Sequence, residues 1–546
     1  MMTHGDLLAE LLFPEITKTP EYYEGLFPQR NLASNAKVTR LAPSPTGFIH
    51  LGNLYGAFVD ERLAKQSDGV FYLRIEDTDD KRFVEGAEGA IVSSLMFFGI
   101  DFDEGAGQGG SGNYGPYWQS QRVGIYQCFA KNMVKNGLAY PCFLAEHEIS
   151  QIRETQEKNK ENTGIYGKWA TGRNLSFDQV KSELDSGKPY VVRLKSRGTS
   201  GQIIVEDGIR GTLAMPENYQ DIVILKTNGI PTYHFAHVVD DHLMRTTHVV
   251  RGEEWLPSLP VHIELFDMLG FPRPVYCHTA QLMKLGADGN KRKLSKRDDP
   301  ELSLGYYREE GYHPKAVREY LLTILNSDYE EWRRANPDLD AGEFPFAVEK
   351  MSTSGALFDL NKLSDVSKDV LLKISAKELC RFMVAWSNEF RPDIASLFEG
   401  NEAYVEKILD LGRGGNNPRK DLVHARQVFE FIKYFFDEHF AVTDEIPSNV
   451  NEEDAKAILK SYLDTYDHGD DQQQWFGKIR EIGVSLGYAA KPKDCKKNPG
   501  QYKGHVGDVS TVIRIALTGR AQSPDIWEIQ QILGEERTRQ RIKKAI

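Results

Sequence analysis

The chain reads as an α/β protein whose first half carries a parallel sheet and whose last third is helical. Three observations predict this. Short apolar strands alternate with helical periodicity from residue 37; that rhythm breaks over 118–232 and returns at 247; beyond 370 the apolar residues recur almost entirely at helical spacing.

Residues 1–36 read as an extension with one short amphipathic helix around Leu7, Leu8, Leu11 and Leu12. VTRLA (38–42) is a strand, and the helix over 51–66 places Leu51, Leu54, Tyr55 and Phe58 at helical spacing. VFYLRI (70–75) is the next strand, followed by a helix over 84–98. A right-handed βαβ start of this kind binds ligands at the carboxyl ends of its strands. Glu76 and Asp77 fall at that end of VFYLRI, and Arg40 lies within the first strand. Over 118–232 a Lys- and Glu-rich helix (146–160) precedes the strands YVVRL, QIIVED and DIVILKT. THVVRG (247–252), a helix and a strand near PVYCHT restore the sheet. Helices over 300–370 are interrupted by a polar insertion at 328–345.

A chain of 546 residues exceeds one core, so three to five domains are expected. With 40% hydrophobic residues, 24 Tyr and 27 Phe, it is globular rather than disordered. The net charge of −12 does not exclude a nucleic-acid partner, because phosphate contacts need only a local basic face. Two such faces exist: 488–503 has five Lys against one Asp, and the last twelve residues hold five Lys/Arg against two Glu. Each is equally well a solvated helix or loop face. The five cysteines (128, 142, 277, 380, 495) form no CxxC pair, which points to a reducing compartment. The first residues are too acidic for a signal peptide and no apolar run approaches spanning length, so a cytoplasmic protein is expected.

Two segments carry the chemistry. PSPTGFIHLGN (43–53) sets His50 and Gly52 at the opening of a helix, where unpaired N–H groups attract phosphate. KRKLSKR (291–297) concentrates Lys291, Arg292, Lys293, Lys296 and Arg297 in a loop able to neutralise a departing polyphosphate. In this order they resemble the HIGH and KMSKS motifs of class I aminoacyl-tRNA synthetases. TRLAPSPTG (39–47), LRIEDTD (73–79), PTYHFAHVVDDHLM (231–244) and HVVRGEEW (248–255) resemble the bacterial-type glutamyl-tRNA synthetases. The likeness runs from about 37 to 325 and returns at 355–367 and 512–524.

That resemblance implies a class I synthetase Rossmann-like catalytic domain with an α+β acceptor-binding insertion, a helical stem-contact region and an all-α anticodon-binding region. The corresponding boundaries are an extension (1–36), catalytic halves (37–117 and 233–283), the insertion (118–232), a stem-contact region with the KLSKR loop (284–370) and the anticodon-binding region (371–546). It implies ATP-dependent formation of glutamyl-adenylate, then transfer of glutamate to the terminal adenosine of tRNA(Glu); a non-discriminating enzyme that also charges tRNA(Gln) is the alternative. A carboxylate nucleophile is already ionised at neutral pH, so no protein base is required. By resemblance His50, Lys293 and Lys296 are catalytic. Pro43, His50, Gly52, Asn53, Lys293, Ser295 and Lys296 bind ATP, with Mg²⁺ bridging phosphates. Arg40 meets the glutamate side-chain carboxylate, Glu76 the ammonium and Arg251 the α-carboxylate, while Ala42, Ser44 and Tyr233 complete the pocket. Without the resemblance, Arg251 reads as a surface ion pair with Glu253 or Glu254. His237 stands where related sequences carry asparagine and is either a ligand contact or a packed, satisfied histidine. A monomer is expected.

Three features are set aside. GAGQGG (105–110) follows acidic residues rather than a strand and reads as a glycine loop, not a nucleotide fingerprint. KMSTS (350–354) spells the lysine motif in its first three letters, but Thr353 lacks the second ammonium, so the catalytic loop is placed at 293–297. Cys142 lacks clustered partners, so no zinc is expected.

Overall fold

The computed structural model describes residues 2–45, 49–78, 84, 86–107, 111–414, 418–498 and 500–546. Thr46, Gly47 and Phe48 of the first motif, Asp79 of LRIEDTD and the last three residues of the glycine run lie outside the described residues. The chain divides into two compact units, Met1–Tyr306 with Leu321–Asp359, and Tyr307–Tyr320 with Leu360–Ile546.

In the first unit the extension forms two helices rather than one. α1 (His4–Leu12) starts at Thr3, whose side chain accepts from the Asp6 amide while the Asp6 carboxylate takes the Thr3 N–H. α2 (Pro20–Leu26) escapes periodicity analysis because Tyr23 is its one buried residue. β1 (Val38–Leu41), α3 (Leu51–Lys65), β2 (Val70–Leu73), α4 (Ala87–Phe97) and β3 (Glu104–Gly105) follow, with β1-β2-β3 parallel and Arg40 opposite Tyr72. β3 requires glycine: Gly105 has φ +123° and a Cβ there would sit 2.3 Å from the Leu73 carbonyl oxygen.

The 118–232 stretch contains α5 (Val123–Lys135), β4 (Ala139–Cys142), α6 (Glu146–Lys158), α7 (Phe177–Asp185), β5 (Val191–Leu194), β6 (Gln202–Asp207), β7 (Gly211–Pro216) and β8 (Val223–Leu225). Strands β4, β5 and β8 form their own antiparallel sheet. QIIVED does not join it. After α8 (Tyr233–Leu243), β9 (His248–Gly252), α9 (Leu259–Leu269) and β10 (Val275–Thr279), β6 pairs with β10 through Tyr276 and Asp207, carrying β7 as an outer hairpin strand. β9 and β10 are parallel. β9 lies beside β1, where the Thr247 N–H reaches the Val38 carbonyl (2.9 Å) and its hydroxyl accepts from the Val38 N–H (2.8 Å). The carboxyl ends of β1, β2, β9 and β10 therefore open on one side.

The extension binds both parts of this unit. Lys131 of α5 donates to the Phe13 and Ile16 carbonyls (3.1 and 2.8 Å). Arg30 reaches the other way, to the Met244 carbonyl and bidentately to Glu104 (2.8 and 3.0 Å), its guanidinium 3.9 Å from the Tyr114 ring. Beyond β10, β11 (Leu282–Leu285) pairs antiparallel with β12 (Lys291–Lys293) and parallel with β13 (Ala356–Leu357). The polar insertion at 328–345 is pinned to α3, whose Arg62 donates to the Gly342 and Phe344 carbonyls (2.6 and 2.9 Å).

The second unit is built from helices around two apolar cores. One gathers Leu379, Met383, Trp386, Ile394, Phe398, Val405, Ile408 and Val428; the other Ile458, Leu459, Ile479, Val509, Ile513 and Leu517. The helix Ala376–Phe390 starts at Ser375, whose side chain accepts from the Glu378 amide, a cap worth about 1 kcal/mol.

Candidate active site

A cleft of about 510 Å³ opens at those strand ends. β1 runs into Ala42, Pro43 and Ser44, which form one wall, and the first turn of α3 forms the next. His50 caps that helix. Its Nδ1 accepts from the Asn53 amide (3.3 Å), and the Asn53 side-chain oxygen accepts from the His50 N–H (3.1 Å). With Nδ1 accepting, the neutral ring carries its proton on Nε2. Burial, then the nearby Lys296, lowers the His50 pKa, so the neutral form holds at pH 7. Gly52 lets the ring lie against the helix, since a Cβ there would meet ring atoms at 3.0 Å.

Another wall comes from the end of β12 and the loop after it. Lys293 and Lys296 line the cleft, and Leu294 between them is buried. Arg292 grips Asp299 bidentately (2.6 and 2.7 Å), and Asp299 also accepts from the Ser295 amide (2.8 Å) and Lys284 (3.3 Å). The stretch after the cationic loop also meets the helix opening, where the Leu304 N–H donates to the Ile49 carbonyl. Two segments 240 residues apart thus face one space.

Three charged residues stand deeper. Arg40 places Nε 3.3 Å from both Asp241 oxygens. Burial opposes the Asp241 charge, yet Arg40 and Arg74 hold its carboxyl well below the ordinary range. Glu76 lies 3.2 Å from Arg74; burial outweighs that arginine and Arg40 and raises its pKa, so a cation arriving beside it is favoured. Arg251 donates to His278 and His262 rather than to the neighbouring acids. Glu253 pairs with Arg210 instead and also accepts from the Gln281 amide. The surface ion pair is therefore not what this arginine forms.

Of the candidate residues, Arg40, Ala42, Pro43, Ser44, His50, Gly52, Asn53, Glu76, Tyr233, Arg251, Lys293 and Lys296 line the cleft. Two do not. The Ser295 hydroxyl donates to Asp298 (2.8 Å) and its amide to Asp299, so both groups serve the turn rather than the cleft wall. His237 is fully buried behind Tyr233, its Nε2 3.0 Å from the Tyr276 hydroxyl and its Nδ1 3.0 Å from Asp241. Burial pushes its pKa down to about 3, and it packs behind the cleft rather than lining it. KMSTS also stands apart: Met351 is buried against Asn326, and the segment leads to β13, on the edge of β11 away from β12. Trp255 was missed. Its ring lies 4.5 Å from that of Tyr233, and its place at the end of HVVRGEEW was the available signal.

Comparison with known proteins gives the family. The family model described as tRNA synthetases class I (E and Q), catalytic domain, matches residues 37–363, and an anticodon binding domain model matches 501–546. A glutamate–tRNA ligase of Acetivibrio thermocellus is 63% identical over 542 residues, covering 99% of each chain. One from Thermus thermophilus is 34% identical, covering 93% of this chain and 99% of its own. A crystal structure of a glutamate tRNA ligase from Elizabethkingia meningosepticum, in complex with its amino acid, superposes with a TM-score of 0.74 at 28% identity, covering 93% of this chain and 99% of that one.

Proposed function

The chain belongs to the class I tRNA synthetases for glutamate and glutamine, and from that premise we propose how its cleft works residue by residue. It attaches L-glutamate to tRNA as a ligase. ATP is the energy source; the glutamate α-carboxylate attacks the α-phosphorus and pyrophosphate leaves. The carboxylate needs no base, so the work is positioning and charge neutralisation.

His50 donates from Nε2 to a phosphate oxygen, beside the backbone of Gly52 and Asn53. Lys293 and Lys296 neutralise the charge that builds on the leaving pyrophosphate. Mg²⁺ bound with the triphosphate would supply further positive charge beside the two lysines. The protein's own contribution is ammonium groups and N–H donors from Lys293, Lys296 and the start of α3. Arg40 takes the glutamate side-chain carboxylate, Glu76 the ammonium and Arg251 the α-carboxylate. Arginine suits both carboxylates because its planar fork binds bidentately and keeps its charge. Tyr233, against Trp255, closes the apolar side of the pocket. The terminal adenosine of tRNA(Glu) then takes the aminoacyl group, while the helical 371–546 region reads the anticodon. The enzyme works as a cytoplasmic monomer; among the described residues no helix is long and apolar enough to cross a membrane.

The observation that carries this reading is the convergence of His50 and the Lys293–Lys296 loop on one cleft. Charging purified tRNA(Glu) and tRNA(Gln) with labelled glutamate, alongside pyrophosphate exchange with and without tRNA, tests it. Charging of tRNA(Glu) alone is expected; no charging of either would overturn it.

A further inference from the structure

Arg251 is a buried cation without an anion. Its Nε donates to Nε2 of His278 (2.9 Å), its Nη1 to Nδ1 of His262 (3.0 Å), and its guanidinium lies 4.7 Å from the Tyr276 ring centroid. Among the described residues no carboxylate is within ion-pair distance of it, and its buried Nη2 has no hydrogen-bond partner. Arg40, Arg74 and Arg122, buried close by, are each paired with Asp240 or Asp241.

A guanidinium carries only donors, so each imidazole nitrogen facing it must present a lone pair. The protons of both rings are then located. His278 carries its proton on Nδ1 and gives it to Asp207, 2.6 Å away. His262 carries its proton on Nε2 and gives it to Nδ1 of His234, 2.9 Å away. Burial, with Arg251 itself adding to it, lowers the pKa of all three histidines, and neutral rings are what this chain of bonds requires. Asp207 is the one member that cannot donate when ionised, and it sets the direction from one end.

We propose that Asp207, His278 and His262 are positioning residues for glutamate: a cradle of neutral imidazoles that orients the Arg251 fork without neutralising it, keeping its charge for the α-carboxylate. A carboxylate in their place would orient the fork equally well but would compete with the substrate for it. The inference rests on the assignment of Arg251 made above and adds how that arginine is held.

The test is steady-state charging of tRNA(Glu) by the full chain, varying glutamate and ATP in turn, with melting curves as a folding control. Asp207→Asn keeps an oxygen for the Ile209 and Arg210 amides (3.0 and 2.9 Å) but turns an amide N–H toward His278. The ring must then move its proton to Nε2, against Arg251. Asp207→Asn and His262→Leu are expected to raise the glutamate KM roughly tenfold or more, with the ATP KM within about twofold. His262→Gln retains an acceptor for Nη1 and is expected to stay near wild type. Unchanged glutamate KM in the first two variants, or an equal rise for ATP, would overturn the cradle. Arg251→Gln separates the two claims: if it leaves glutamate KM unchanged, the carboxylate assignment itself fails; if it alone raises KM, only the cradle fails. Should Asp207→Asn not fold, the ¹⁵N-histidine spectrum of the wild type decides. His278 protonated at Nδ1 and His262 at Nε2 supports the proposal, and either opposite tautomer refutes it.

Discussion

Arg292 and Asp299 close the cationic loop on itself: two parallel N–H···O bonds of 2.6 and 2.7 Å join the residue before Lys293 to the second residue after Arg297. Asp299 is buried, and Arg292 together with the Ser295 amide holds its carboxyl far below the usual range. Asp299→Ala is therefore expected to loosen the wall that presents Lys293 and Lys296. Adenylate formation should fall roughly tenfold, expressed in ATP rather than glutamate dependence. Pyrophosphate exchange at varied ATP measures it, and an unchanged ATP dependence would remove this pair from the site.

Lys296→Ala takes away one ammonium at the place where negative charge grows. A loss of about 10²–10³ in adenylate formation is expected, the usual cost of one missing charge stabiliser. Single-turnover activation is the measurement; full activity would show that the loop assignment is wrong.

Arg40→Ala should chiefly impair use of glutamate. Arg74 remains 2.6 Å from Asp241, so that acid keeps a partner and the fold should survive. A glutamate KM raised at least about tenfold, with little change for ATP, is the expected result. Equal use of glutamine by the wild-type protein would contradict the role.

Acid should destabilise the first unit through its buried histidines. Burial pushes His248 down to about 4 and His237 to about 3, against about 6.5 in an unfolded chain. The folded state therefore binds fewer protons, so stability is complete above about pH 6.5 and is lost as pH falls toward those values. The loss by pH 5 is on the order of 2 kcal/mol for each group. Urea unfolding at pH 7 and pH 5 reads it, and a flat profile would mean that these rings titrate normally.

Removing residues 1–30 should do more than trim a terminus. The deletion takes away Arg30, which joins Glu104 and the Met244 carbonyl, and the carbonyls that Lys131 holds. A lower melting temperature, with tRNA charging reduced more than pyrophosphate exchange, is expected. Unaltered charging would show that the extension is dispensable.

Much of the site was legible because its chemistry is local in sequence. His50, Gly52 and Asn53 belong to one helix start, and Lys293 and Lys296 to one short segment, so the resemblance to two family motifs picks them out. Trp255 and the partners of Arg251 were not, since an aromatic wall and a set of imidazole lone pairs exist only once β9, α9 and β10 pack together. The setting of His237 was not legible for a related reason: its position in a motif says nothing of the Tyr276 hydroxyl 3.0 Å from its Nε2 or of its burial behind Tyr233. The second helix of the extension escaped because one buried tyrosine makes no period. That β6, within the 118–232 stretch, pairs with β10 was not legible either, because an alternating strand carries no record of the edge it will join.

That last strand bears on any attempt to exchange parts between relatives. Cutting out 118–232 as a block would strip the main sheet of β6 and β7 and leave β10 with a raw edge, inviting intermolecular pairing. A transplant that leaves 202–216 in the recipient spares that edge and moves the β4, β5 and β8 layer without unravelling its host.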